Sequence, residues 1–302
     1  MKKLKGTITT LAIAVFCLLA SNTLFAQGEE DEYGYVSVNG LEMYYEIYSP
    51  DQQGTPLVLL HGAFGNVEGP IAALATKLDG SRTVIAFAMQ GHGRTADIDR
   101  PLSVPQMAKD VAAAVEKLGY NQIDIFGYSM GGGIALQLTA TQSQLVRKMI
   151  IASAAFAQRG NYAQMDEMMA SITPQMFEGT PIKQAYDTLS PNPDFPTLVE
   201  KIKGMSTENP DWNYAKQVGK IEAPALLIFG DADIVRPEHA VKFYRLLGGG
   251  RLPNLRATPH TQLAILPGTT HIGVLQQSVW LEYVIAMIDR FLKQPMPEEN
   301  NN

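Results

Sequence analysis

Five residues constrain this chain more than any others: Gly127-Tyr128-Ser129-Met130-Gly131, extended by Gly132 and Gly133. They stand between an apolar run, Ile123-Asp124-Ile125-Phe126, and a run of helical character, Ile134-Ala135-Leu136-Gln137-Leu138. Strand, sharp turn and helix follow one another, with a serine at the apex. A turn that tight forces its central residue into a strained backbone, and its neighbours must be small to clear the adjoining strand and helix. The serine hydroxyl then stands above the sheet at a helix N-terminus, where partial positive charge favours a developing anion. A glycine turn with a helix-capping serine would look the same locally, so the rest of the chain has to decide.

The flanking chain is built to hold such a turn. Pro56–Leu60, Thr83–Phe87, Ile123–Phe126, Met149–Ile151 and Ala225–Phe229 are short continuous apolar runs, the pattern of strands buried on both faces of a parallel sheet. Between them, helical spacing marks 102–118, through Val104, Met107, Val111, Ala114 and Leu118, as well as 237–247 and 276–293. In the last of these the predicted core stripe is Val279, Tyr283, Met287 and Phe291. Alternating strands and helices predict a doubly wound α/β sheet, with core segments at 34–155 and 216–293. Ahead of it, Asn39-Gly40 between two alternating runs predicts an antiparallel hairpin at the sheet edge. In its second strand Leu41, Met43, Tyr45 and Ile47 form the buried face, and Glu42, Tyr44, Glu46 and Tyr48 the wetter one. Residues 156–215 break the alternation: methionines and aromatics are interleaved with prolines at 174, 181, 191, 193, 196 and 210. This segment reads as an inserted helical cap. Flexible methionines in it suit varied apolar ligands, with Met165, Met169 and Phe177 as pocket candidates beside Phe64 and Tyr128.

The ends are of another kind. Lys2, Lys3 and Lys5, the apolar stretch Leu11–Ala20 and the close Leu24-Phe25-Ala26 have the layout of a secretory signal peptide, with cleavage expected after Ala26. The apolar stretch is too short for a permanent membrane span. The single cysteine, Cys17, lies inside this segment, so the mature chain carries no thiol, in keeping with export to an oxidising space. A lipid-attached cysteine would want a small residue before it, and Phe16 stands there. Residues 27–33 read as a polar linker and 294–302 as a disordered tail. The net charge of −6 and the lack of any basic stripe argue against nucleic acid as a partner. Oligomeric state is not legible.

A serine at such an elbow needs a base. His61 and His92 sit in glycine turns, His239 in a predicted helix and His260 in a loop. His271 follows the apolar run Leu263–Leu266 and precedes a helix, and the carboxyl ends of strands are where open α/β sheets bind ligands. His271 is therefore the expected base. An imidazole base needs a carboxylate to fix its tautomer. Asp231 and Asp233 both follow the strand ending at Phe229; Asp233 is assigned the orienting role, and Asp231 remains as a turn-closing alternative. Backbone N–H groups after His61-Gly62 are placed to converge with that of Met130 on an oxyanion. No paired His/Cys spacing and no phosphate-cradling loop call for a metal or a cofactor.

The residues HGAFG at 61–65, QGHGRT at 90–95, GYSMGG at 127–132, FGDADIVRP at 229–237 and PGTTH at 267–271 together resemble the α/β-hydrolase fold superfamily, in its branch of small esterases, enol-lactonases, perhydrolases and carbon–carbon hydrolases. The resemblance implies a nucleophile at Ser129, an acid at Asp233, a base at His271 and oxyanion donors on Met130 and Ala63, with Phe64 as the fallback. It leaves His92 to a structural turn. The expected activity is hydrolysis of carboxylic esters of small, largely apolar substrates. Lactone, peracid or carbon–carbon chemistry on the same triad, or a non-catalytic binding role, are the alternatives.

Overall fold

The computed structural model describes residues 31–207, 209, 211–250 and 260–296. Residues 1–26, read from the sequence as a signal peptide, lie outside the described residues, as do 297–302 of the predicted tail. The chain opens with β1 (Glu32–Val38) and β2 (Leu41–Tyr48), then β3 (Leu57–Leu60), α1 (Pro70–Leu78), β4 (Val84–Phe87), α2 (Val104–Lys117), β5 (Ile123–Tyr128), α3 (Met130–Thr141) and β6 (Val146–Ala152). The helices α4 (Ala163–Ser171), α5 (Pro181–Leu189), α6 (Phe195–Thr207) and α7 (Ala215–Val218) come next. The chain then returns through β7 (Ala225–Ala232), α8 (Pro237–Leu246), β8 (Thr261–Thr270), α9 (Gly273–Gln276) and α10 (Ser278–Lys293).

The eight strands form one sheet in the order β1-β2-β4-β3-β5-β6-β7-β8. The first two pairings are antiparallel and the remainder parallel. This is the α/β-hydrolase fold. After β3 the chain steps outward to β4, then returns to lay β5 on the other side of β3. That reversal opens a crevice at the carboxyl ends of β3 and β5, the place where such sheets receive ligands.

The continuous apolar strands are explained by two cores. Val58, Leu60, Ile85, Phe87 and Ile125 point to one face, where α2, α3 and α8 bring Met107, Val111, Ile134, Leu138 and Phe243. Leu57, Leu59, Val84, Ala86 and Phe126 point to the other, against Ile71, Leu74 and Leu78 of α1 and Val284, Ile288 and Phe291 of α10. α2 starts where its sequence says it should: the Ser103 side chain accepts from Gln106 N–H at 3.3 Å and a proline sits in the first turn.

Four expectations are corrected. Glu32 and Tyr33, read as linker, lie inside β1. Tyr44 and Tyr48, assigned to the wetter face of β2, are buried, while Tyr45 is half-exposed. Within the hairpin only β1 lies at the sheet edge; β2 is flanked by β1 and β4, and its Tyr44 and Tyr48 join the α1 core. In α10 the stripe is turned one residue round: Val284, Ile288, Phe291 and Leu292 are buried, and Val279 and Tyr283 are exposed. Both stripes have helical period, and contact with the sheet selects between them. Gln294, read as the start of a disordered tail, is tied down: its carbonyl accepts from Lys148 Nζ and its side-chain oxygen from Gln262 Nε2 at 2.6 Å.

Candidate active site

Ser129 sits between β5 and α3 with φ +54° and ψ −117°. Its neighbours show why the motif needs glycine. A Cβ on Gly127 would lie 2.1 Å from Gly131 O, and one on Gly131 would lie 2.4 Å from Leu60 O. No real side chain fits there. The elbow is fastened by Ser129 N–H donating to Ala152 O at 2.9 Å and Gly133 N–H to Ser129 O at 3.1 Å.

Three residues from distant parts of the chain meet at this point. His271, one residue beyond β8, has Nε2 3.0 Å from Ser129 Oγ and Nδ1 2.7 Å from Asp233 Oδ1. With the ring proton on Nδ1, donated to the carboxylate, Nε2 is free to accept the serine O–H. Asp233 follows β7, and its side chain is wholly buried. Burial alone would raise its carboxyl, yet the hydrogen bond and charge of His271, with Ser153 Oγ and Val235 N–H, hold it below the usual carboxylate range. Asp231 has the other role: it is exposed, and its Oδ1 accepts from Thr269 N–H at 3.0 Å, which closes the turn that delivers His271.

One partner was not anticipated. Ser153, one residue past β6, donates from Oγ to Asp233 Oδ2 at 2.6 Å, so both carboxylate oxygens are engaged. It is buried, with φ +54°. Its place just beyond an apolar strand does not set it apart in the sequence from any serine that ends a strand.

The loop after β3 runs hard against the elbow. A Cβ on Gly62 would lie 3.2 Å from Ser129 Cβ, and Gly65 N–H donates back to Gly62 O at 3.0 Å. Ala63 and Met130 both line the cavity that contains Ser129. Met130 is the first residue of α3, so its N–H is one of the helix's unsatisfied donors.

That cavity holds about 370 Å³ and lies between the sheet ends and the cap helices α4 and α6. Met165 and Met169 line it, as the sequence suggested, together with Met205, Ile202 and Trp212. Three other pocket candidates do not. Phe64 packs its ring 4.8 Å from Phe177 and 6.0 Å from Phe195, and Phe177 lies 5.2 Å from Phe195. These rings bind the cap to the body instead of facing the cavity. Tyr128 turns under the site, where its hydroxyl donates to His271 O at 2.9 Å and its ring lies 5.3 Å from the imidazole. Each of these rings is fixed by an aromatic or polar neighbour that a one-dimensional reading does not show.

The remaining histidines are structural. His61 accepts Met89 N–H on Nε2 at 3.1 Å, His92 lies 5.1 Å from it, and His239 accepts Phe156 N–H at 3.2 Å while stacking on that ring. His260 is exposed, with its carbonyl accepting from Ala225 N–H.

Comparison with known proteins agrees with the architecture. Residues 55–199 match the sequence profile of the alpha/beta hydrolase fold. An sn-1-specific diacylglycerol lipase from Xenopus laevis is 29% identical over 133 residues, 43% of this chain and 42% of that one. A pyrrolizixenacetamide deacetylase from Xenorhabdus hominickii is 31% identical over 112 residues, 37% of this chain and 42% of that one. The match thus spans less than half the length of either relative. The solved enol-lactonase from Burkholderia xenovorans LB400 superposes with a TM-score of 0.66 at 18% identity, over 86% of this chain and all of that one. The sequence match over residues 55–199 and the structural likeness agree on the alpha/beta hydrolase fold.

Proposed function

We propose that this protein is a serine hydrolase of carboxylic esters of small, largely apolar substrates. The observation that carries the reading is the single imidazole in hydrogen-bond reach of both the Ser129 hydroxyl and the buried Asp233 carboxylate. In this reading His271 Nε2 takes the Ser129 proton as Oγ attacks the ester carbonyl. Asp233 holds the Nδ1 tautomer and stabilises the imidazolium that forms. The tetrahedral oxyanion rests on the N–H groups of Ala63 and Met130, each worth roughly 3 kcal/mol in the transition state. His271 then protonates the leaving alcohol, activates a water, and the acyl group departs as the acid.

The relatives named as lipase and deacetylase support acyl-group hydrolysis as the reaction class. The test is turnover by the protein lacking residues 1–26 on a panel of nitrophenyl esters, lactones and diketones. Esters hydrolysed well ahead of the other two support the reading. Turnover confined to lactones or to diketones replaces it with lactonase or carbon–carbon hydrolase chemistry, and no turnover by folded protein leaves a ligand-binding role. Export is part of the proposal and rests on the sequence layout of residues 1–26. It predicts a mature N-terminus at or near Gln27 in the exported fraction; intact Met1 in a cytosolic fraction would contradict it.

A further inference from the structure

The cavity beside Ser129 is lopsided in charge. Among the described residues that line it, none is a lysine, an arginine or a histidine, and Asp166 alone carries a formal charge. The polar groups around Asp166 are already committed. Trp212 Nε1–H donates to Gln158 Oε1, which turns the Gln158 amide so that its NH₂ donates to Asp166 Oδ1. Two donors that would otherwise hold a substrate carboxylate are therefore spent on each other and on the aspartate. Asp166 is half-buried in the first turns of α4. Burial pushes its carboxyl up, and the Gln158 amide pulls part of the way back. The rest of the wall is mainly apolar, and its remaining polar side chains, among them Ser103, Asn161, Asn209 and Tyr214, carry no charge.

We infer that this cavity selects neutral or cationic acyl or alkyl groups and rejects groups that end in a carboxylate. The inference rests on the ester-hydrolase reading of Ser129 and narrows its substrate class. A carboxylate entering the cavity would lose its water, meet no cation and face a like charge across low-dielectric space. A neutral group loses only its hydration, and a quaternary ammonium gains the Asp166 carboxylate and the Trp212 ring face.

The test compares three nitrophenyl esters of one shape: the monoester of glutaric acid with its free carboxylate, its neutral branched-alkyl isostere, and the trimethylammonium analogue. The same three end groups are then placed on the alcohol side of a second series. Rates are read at about pH 8, well above the carboxylate range. In at least one series the anionic member should fall about tenfold or more below the neutral one in kcat/KM, with the cationic member equal to or above the neutral. Asp166→Asn should shrink the neutral-to-anionic ratio by about threefold or more, the remainder being the carboxylate's lost hydration. Equal rates for all three end groups in both series of the unaltered protein would overturn the inference while leaving the hydrolase reading intact. A ratio untouched by Asp166→Asn would overturn the assignment to this residue. Failure to hydrolyse any member, by folded protein, would overturn the hydrolase reading and the inference with it.

Discussion

The floor and the roof of the cavity are made differently. The floor is the carboxyl end of a parallel sheet: Ser129 after β5, Ser153 after β6, Asp233 after β7 and His271 after β8. There backbone touches backbone at positions with no room for a Cβ, and side chains are joined by hydrogen bonds of 2.6–3.0 Å. The roof is α4 and α6. α4 has no buried residue, and it offers Met165 and Met169 to the cavity while Met168 faces outward. A sheet end buried on both faces can hold a reacting geometry; a thin roof of unbranched side chains can adapt to what lies beneath it. In the proposed function the contrast separates the work: chemistry on the floor, selection on the roof.

That contrast breaks first at Ser129. Ser129→Ala should lower kcat by roughly a millionfold while leaving the melting temperature nearly unchanged, since no packing is lost. Retained turnover would move the nucleophile elsewhere. Next are the two aspartates, two residues apart. Asp233→Asn should cost about 10⁴-fold in kcat by disturbing the histidine tautomer. Asp231→Asn keeps an amide oxygen that can accept from Thr269 N–H and should cost far less. Equal losses in the two variants would erase the distinction drawn between them.

Acid provides a third test. Burial keeps the histidines under both regions neutral: His61, helped by its neighbour His92, is pulled down to about 3, His92 to about 4, and His239 to about 4 with the help of Lys242 and Arg236. Below the ordinary 6.5 the unfolded chain binds protons that the folded chain refuses, so stability falls as pH drops from 6.5 towards 4. The loss approaches about 2 kcal/mol per histidine by pH 5. A urea midpoint that stays level from pH 7 to pH 5 would contradict this.

Smaller effects sharpen the division. Ser153→Ala should lower kcat about tenfold with KM held, because one bond to the carboxylate is lost. It should also move the acid limb of the rate profile to higher pH, since Asp233 becomes more basic; a purely structural serine would lower stability and leave the profile in place. Met169→Ala, in the roof, should change KM and the preferred acyl length by a few-fold with little effect on kcat. A large kcat loss from Met169→Ala would mean that the roof also takes part in the chemistry.

The same division governs what the sequence could reveal. The elbow was legible because steric exclusion writes itself as glycine, at Gly127 and Gly131. Asp233 and His271 were legible because each follows an apolar strand in the order the sheet requires. Ser153 was not, because nothing local distinguishes a serine that bonds a distant carboxylate from one that ends a strand. Phe64, Tyr128 and Phe177 were misplaced for a similar reason: an aromatic near a cleft can line it or lock its walls, and only the neighbouring rings decide. In α10 the two possible stripes share one period, so the choice belonged to the sheet. The Trp212–Gln158–Asp166 chain joins residues up to 54 positions apart, beyond any local pattern.

The central claim is that one serine is activated by one imidazole at the sheet's edge. The measurement closest to it is the site of covalent labelling by a fluorophosphonate, read by intact mass and peptide mapping. The prediction is one adduct per chain, on the peptide bearing Ser129, absent in Ser129→Ala and much slowed in His271→Ala. An adduct on another residue, or labelling that survives both substitutions, would contradict the account.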